Sequence, residues 1–247
     1  MVLVVPDGHR IRLCGLKKGS LPATTVLLPK MTMADPYDAA RNSVKPAFPK
    51  GGFRVFVLGP ALKPTTVVRP PSVAPIRHED VVAHAKYLRY ATRIALEKEG
   101  FGVDFGETKQ MLAFWNAQFG TRDAGSAELL QADKISGAVV VFPSSAGSLC
   151  ELGMFAPQKP ISEKTLAIVH KRYARDKSFF RMALLELLAQ ENGRYEFRDY
   201  SDHQECVSEA LKFVAGKYQS LLREYIHVER ARLFERKVHG TAFHRNA

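Results

Sequence analysis

Three short apolar runs constrain this chain more than any other feature: Phe53 to Leu58 (FRVFVL), Gly137 to Phe142 (GAVVVF) and Lys164 to His170 (KTLAIVH). Each is rich in β-branched or aromatic residues and too short for a buried helix, so each is predicted as an interior strand. The stretches between them have helical spacing. Val81, Ala85, Leu88, Thr92 and Ala95 fall on one stripe that ends at Gly100, a natural C-cap. A brief strand is expected over 101–105, then helices over 109–118 and 124–132, and another over 177–190. Short buried strands alternating with helices predict a mostly parallel sheet with helices on both faces, a Rossmann-like α/β domain over residues 53–200. Such sheets take ligands at the carboxyl ends of their strands.

Both flanks read differently. Residues 1–52 are rich in Pro and Gly and have no sustained period, which predicts a basic arm; Met31 and Met33 offer a second candidate start. From residue 201 to 247, Val207, Leu211, Val214, Tyr218, Leu221 and Tyr225 recur at steps of three and four. That is an amphipathic helical extension, able to pack across the domain or to form a homo-oligomer with a second copy. With 247 residues and 46% hydrophobic content, one substantial core is expected.

The net charge of +11 is uneven: Arg10, Arg12, Lys17 and Lys18 in the arm, the segment 164–177, and Arg230, Arg232, Arg236, Lys237 and Arg245 in the tail. It suits a polyanionic partner, or simply solvated faces, because no nucleic-acid motif accompanies it. No apolar run approaches the roughly 20 residues of a membrane helix, so no membrane partner is expected. Cys14, Cys150 and Cys206 fit neither a disulfide framework nor a zinc site, which points to a reducing cytoplasm.

Chemistry concentrates in Pro143 to Ala156 (PSSAGSLCELGMFA), directly after the strand ending at Phe142. There, backbone N–H groups and a helix start face the crevice where anions and sugars bind. Its one acid is Glu151. Ser148 and Glu151 have the spacing of a capping box, in which case Glu151 only starts a helix. The small residues Ser144, Ser145, Ala146 and Gly147 exceed what a cap requires and let a ligand approach the backbone, which favours a chemical role for Glu151. Ser144, Ser145, Gly147 and Ser148 would then hold the substrate, with Gly59 and Pro60 forming the opposite wall. His78, Glu79 and Asp80 read as an acidic helix start, Phe114 and Trp115 as core or as a base-stacking pair, and Cys150 as a small hydrophobe. No metal and no cofactor is assigned, and neither a Walker sequence nor GxGxxG is present.

The segment Ser145 to Ala156 resembles the catalytic segment of the nucleoside 2-deoxyribosyltransferase-like superfamily, in which a glutamate near a helix start is the nucleophile. Phe56 to Leu62 (FVLGPAL) resembles that superfamily's first strand and its Gly-Pro turn, and Ala132-Asp133 its acidic residue ahead of the catalytic strand. Within the group the chain is most similar to effector proteins encoded beside bacterial retrons, whose Ser-Pro-Gly-Ser-x-x-Glu-Leu-Gly-x-Phe segment and basic stretch ending in Lys-Ser-Phe recur at Ser144 to Phe155 and Lys171 to Phe180. The resemblance covers residues 53–200. It implies a toxic anti-phage effector that hydrolyses or transfers the N-glycosidic bond of a nucleoside, nucleotide or NAD through Glu151, with Asp133 orienting the substrate. A retron reverse transcriptase and its RNA/DNA product are the implied partners. Where the transferases carry an aspartate that holds the nucleobase, this chain has Ser144 and Ser145, so hydrolysis of another N-glycoside stands beside deoxyribosyl exchange. The alternatives are a non-catalytic nucleotide-binding sensor of the same fold and a basic nucleic-acid-binding scaffold.

Overall fold

A computed structural model of the chain describes residues 2–4, 10–12, 49–62, 74–77, 79–120 and 123–242, with side chains described only within residues 49–232. Most of the arm, including Cys14, Met31 and Met33, lies outside these residues, as do His78, Arg245 and the side chains of Arg236 and Lys237. The chain divides into two compact units, Met1–Pro36 and Tyr37–Ala247. In the first, Val2–Val4 pairs antiparallel with Arg10–Arg12. Three-residue strands are too short for periodicity to register, and the turn-forming sequence Pro-Asp-Gly at 6–8 is their only mark in the sequence.

The second unit is built on five parallel strands: β1 Arg54–Leu58, β2 Gly102–Asp104, β3 Ser136–Val141, β4 Thr165–His170 and β5 Arg194–Arg198. Their order across the sheet is β2-β1-β3-β4-β5. The expected α/β fold is therefore the one observed. Alternate residues of the central strands feed two separate cores, as the two-residue period of a strand requires. Val55, Val57, Ala138, Val140, Leu166 and Ile168 point to one face, where α1 (Val81–Lys98) and the C-terminal helix bring Ala85, Leu88, Leu96, Phe213, Val214 and Tyr218. Phe56, Leu58, Val139, Val141, Ala167 and Val169 point to the other. That face is covered by α2 (Lys109–Phe119), α3 (Ala124–Leu130), α4 (Ala146–Phe155), the short α5 (Lys159–Ser162), and α6 (Glu186–Gln190) with the wider turn Phe180–Leu185 before it. Trp115 belongs to this core, its indole N–H donating to Gln131 Oε1 at 3.0 Å, which leaves it no free face for a base.

Strand β5 (RYEFR) has no counterpart in the expectations above. It is an edge strand whose buried side carries only Tyr195 and Phe197, while Arg194 and Arg198 turn to the C-terminal helix and pair with Glu209 and Glu205 at 3.4 and 3.1 Å. That helix, α7, runs from His203 to Ala242. Its stripe packs across the domain through Val207, Leu211, Val214, Tyr218 and Leu221, and among the described side chains none beyond Leu222 joins either core. At its start His203 meets His84 of α1, ring nitrogen to ring nitrogen at 2.9 Å.

Candidate functional site

In a sheet of this order the connections leaving β1 and β3 run to opposite faces, which opens a crevice at the carboxyl ends of those two strands. The first wall follows β1. Gly59 has φ +154°, and a Cβ there would stand 2.9 Å from Arg89 Cδ and 3.1 Å from the Phe142 carbonyl oxygen. Only glycine lets the chain turn between those groups. Arg89, on α1, is fully buried. It donates to the carbonyls of Val57 at 3.0 Å, Gly59 at 3.3 Å and Pro60 at 2.8 Å, and grips both oxygens of Glu107, Nη2 reaching Oε2 at 2.7 Å. Pro60 thus serves the wall through its backbone. Glu107, just past β2, also accepts from the Leu62 N–H at 3.2 Å.

Two further carboxyls converge on this pair. Glu128 of α3 is buried against the backbone of Gly106, where any Cβ would collide with it. Glu151 of α4 has one carboxylate oxygen, Oε2, buried without a hydrogen-bond partner. Three carboxyls therefore surround one guanidinium that Glu107 already occupies, and no Lys or Arg of the described residues pairs with the other two. Burial pushes Glu128 up to about 8, with the charges of Glu151 and Glu107 adding to it and Arg89 opposing. Burial likewise raises Glu151 to about 7, against the pull of Arg89 and with a push from Glu107. Near neutrality this pair holds protons that ordinary glutamates have lost.

The loop after β3 resolves what Glu151 is for locally. The N-cap of α4 is Ser145, and the capping box joins Ser145 to Ser148: the Ser148 N–H donates to Ser145 Oγ at 3.3 Å, and the Ser145 N–H donates to Ser148 Oγ at 3.0 Å. The expected Ser148–Glu151 box is corrected by this register, because a helix starting at Ala146 puts Glu151 beyond the first turn, where no orphan N–H remains. Ser148 Oγ also accepts from the Ser144 N–H and contacts the Ser145 carbonyl, both at 3.0 Å, so this hydroxyl is spent on the loop rather than offered to a ligand. Ser144 differs: its hydroxyl is buried and has no partner. Gly147 faces open space, with nothing within 4 Å of where a Cβ would stand.

Asp133 lies apart from these groups. It precedes β3 and so stands at the amino edge of the sheet, where its carbonyl accepts from Lys164 Nζ at 2.9 Å and its carboxylate pairs with Lys134 at 2.8 Å. A residue entering a parallel strand is at the wrong end for a crevice at the carboxyl edge. The acid ahead of β3 that does join Glu151 is Glu128. Asp80 caps α1, accepting from the Ala83 N–H at 2.9 Å, and Cys150 is exposed. Among the described residues no group of three or more His, Cys, Asp or Glu is arranged to hold a metal ion.

Sequence reasoning passed over Arg89, Glu107 and Glu128, though each left a trace. Arg89 stands four residues after Ala85 and three before Thr92, a charge set within the buried stripe of α1. Glu128 stands three and four residues before the buried Gln131 and Ala132, and Glu107 is the first acid past the carboxyl end of a strand. Charges on buried stripes are rare unless paired.

No helix among the described residues is long and apolar enough to cross a membrane. A search of curated proteins finds no match to the chain. Residues 103–238, more than half of the 247, match the family described as STM3845 retron effector protein, a span that holds Glu107, Glu128, Glu151 and most of the sheet. The chain belongs to the STM3845 retron effector protein family.

Proposed function

We propose that this retron effector is a toxin whose crevice cleaves, by hydrolysis or transfer, the N-glycosidic bond of a nucleoside, nucleotide or NAD, with Glu151 as the carboxylate facing the anomeric carbon. One observation carries the reading: Glu151 is half-buried at the crevice, with one carboxylate oxygen, Oε2, shut off from water and unpartnered, and it has no capping duty. Keeping a carboxyl desolvated and unpaired is costly, and structural stability alone gives no reason for it. The resemblance of Ser145 to Ala156 to a deoxyribosyltransferase catalytic segment supports the same choice.

The chemistry then divides between two groups. As the bond from the anomeric carbon to the base nitrogen breaks, its electron pair leaves with the base, and protonated Glu128 supplies the proton that the base nitrogen needs. Ionised Glu151 stabilises the oxocarbenium-like carbon or captures it. Water, or an acceptor base, then attacks that carbon, breaking the bond to Glu151 and releasing it as the carboxylate where it had captured the sugar, and the attacker's proton returns to Glu128. The unpartnered Ser144 hydroxyl and the open side of Gly147 would meet the sugar. Arg89 and Glu107, locked to each other and to the β1 loop, fix the wall. In the cell, association with a retron reverse transcriptase and its RNA/DNA product would restrain this activity. In the rival reading, a nucleotide-binding sensor of the same fold, Glu151 is the cap; Ser145 and Ser148 form that box instead, which supports giving the carboxylate a chemical role.

The test is incubation of the protein with nucleosides, nucleotides and NAD, following release of free base, together with expression in cells lacking the partner. Wild type should release base and inhibit growth, and Glu151→Gln should lower turnover by several orders of magnitude while remaining folded. A folded Glu151→Gln protein with full cleavage or full toxicity would remove Glu151 from the chemistry.

A further inference from the structure

The segment after β4 carries more positive charge than its ion pairs use. From Lys171 to Arg181 it holds Lys171, Arg172, Arg175, Lys177 and Arg181 against one acid, Asp176. Three of these cations are engaged. Lys171 pairs with Asp199; Arg172 lies over the Tyr173 ring, 4.7 Å from its centroid; Arg181 donates to the Ala174 carbonyl at 3.2 Å and stands 3.8 Å from Glu186. Arg175 and Lys177 are exposed and form no ion pair among the described residues. Asp176 is turned into its own loop, accepting from the Ser178 N–H at 2.9 Å.

Two adjacent phenylalanines then go opposite ways. Phe180 packs edge-on against Tyr173, ring centroids 5.6 Å apart, at the margin of the core. Phe179 is 80% exposed, and Met182, three residues on, is 56% exposed. Large apolar side chains held in water beside unpaired cations suggest a ligand with both charge and flat apolar faces. The cations follow one another along a single segment, at 171, 172, 175, 177 and 181. Single-stranded nucleic acid matches that spacing, since its phosphates repeat and its bases present faces for stacking. Duplex DNA keeps its bases stacked inside and would leave Phe179 without a partner.

We propose that Lys171–Met182 is a docking surface for single-stranded nucleic acid, with Arg175 and Lys177 on the phosphates and Phe179 stacked on a base. The loop leaves the same edge of the sheet as the β3 loop, so a bound strand lies on the rim of the crevice. The proposal does not depend on what chemistry the crevice performs.

The experiment is fluorescence anisotropy of a labelled oligodeoxythymidylate with the full-length protein at stepped salt concentrations. Wild type should bind at low salt and weaken as salt rises. Arg175→Ala with Lys177→Ala should weaken binding and flatten the log–log salt slope by about 1.4, the share of two phosphate contacts on a single strand. Phe179→Ala should weaken binding by about five-fold or more with the slope unchanged, and Phe179→Trp should restore it. All these side chains are exposed, so the melting temperature should not move. Wild-type binding left intact by these substitutions, or a duplex bound as tightly as the single strand, overturns the proposal. So does a loss confined to the KM of a small phosphorylated substrate, which would make the loop a substrate-phosphate site instead.

Discussion

A helix leaves its first four N–H groups without intrahelical partners, and the side chain that serves them must stand at or before the first turn. In α4 that side chain is Ser145, and Glu151 comes too late. The two residues therefore separate in their energetic roles. Ser145→Ala is expected to cost about 1 kcal/mol of stability at any pH, the usual loss of an N-cap. Glu151→Gln should cost nothing at pH 8, and even stabilise, because it replaces a desolvated carboxylate with a neutral amide of the same size; at pH 5, where Glu151 is already protonated, the gain should vanish. Urea unfolding at the two pH values checks both. A Glu151→Gln loss as large as that of Ser145→Ala would reveal a structural bond to the carboxylate.

At the scale of elements, α1 does more than cover a face. Through Arg89 it ties the end of β1, the turn at Gly59 and the segment after β2 into one wall, a fully buried cation answered by Glu107 and three carbonyls. Arg89→Met should cost roughly 3–5 kcal/mol, because half-buried Glu107 loses its cation and the carbonyls of Val57, Gly59 and Pro60 lose their donor. Adding Glu107→Gln should recover part of that loss, as a double-mutant cycle by urea unfolding would show. Additive losses would mean that Arg89 acts through its carbonyl contacts alone. The stripe of α1 was legible in the sequence; the role of the arginine within it was not, because pairing Arg89 with Glu107 requires β1 and β2 to be neighbours.

For the whole molecule, the two uncompensated carboxyls predict a dependence of stability on pH. Glu151 and Glu128 rise from 4.5 to about 7 and about 8 on folding. A carboxyl with a raised pKa contributes stability that is fully present below its unfolded value and is lost as pH climbs through its folded value. Each unit of displacement corresponds to about 1.4 kcal/mol. Wild type should therefore lose stability relative to Glu128→Gln/Glu151→Gln between pH 4.5 and about 8. Taking that difference cancels His170 and His203, whose lowered pKa values act in the opposite sense as pH falls below 6.5. Melting curves of the two proteins across this range test it, and parallel curves would show that the carboxyls are solvated.

What the sequence determined by itself follows from local rules. The apolar runs of β1, β3 and β4 are dictated by burial on both faces, the stripes of α1 and α7 by helical period, and the place of Glu151 beside a strand's carboxyl end by chain order. Local rules do not reach further. The charged edge strand β5 exists because α7 supplies acids to its outer face. The start of α4 moved from Ser148 to Ser145 because the Ser148 hydroxyl gathers the N–H groups of Ser144 and Ser145. Asp133 and Glu128 could be told apart only once the chain's direction at β3 put one at the amino edge and the other in the crevice. The strand order β2-β1-β3 brings Arg89, Glu107, Glu128 and Glu151 together from separate parts of the chain. A buried charge is tolerable only where its partner arrives, and tertiary structure alone decides that.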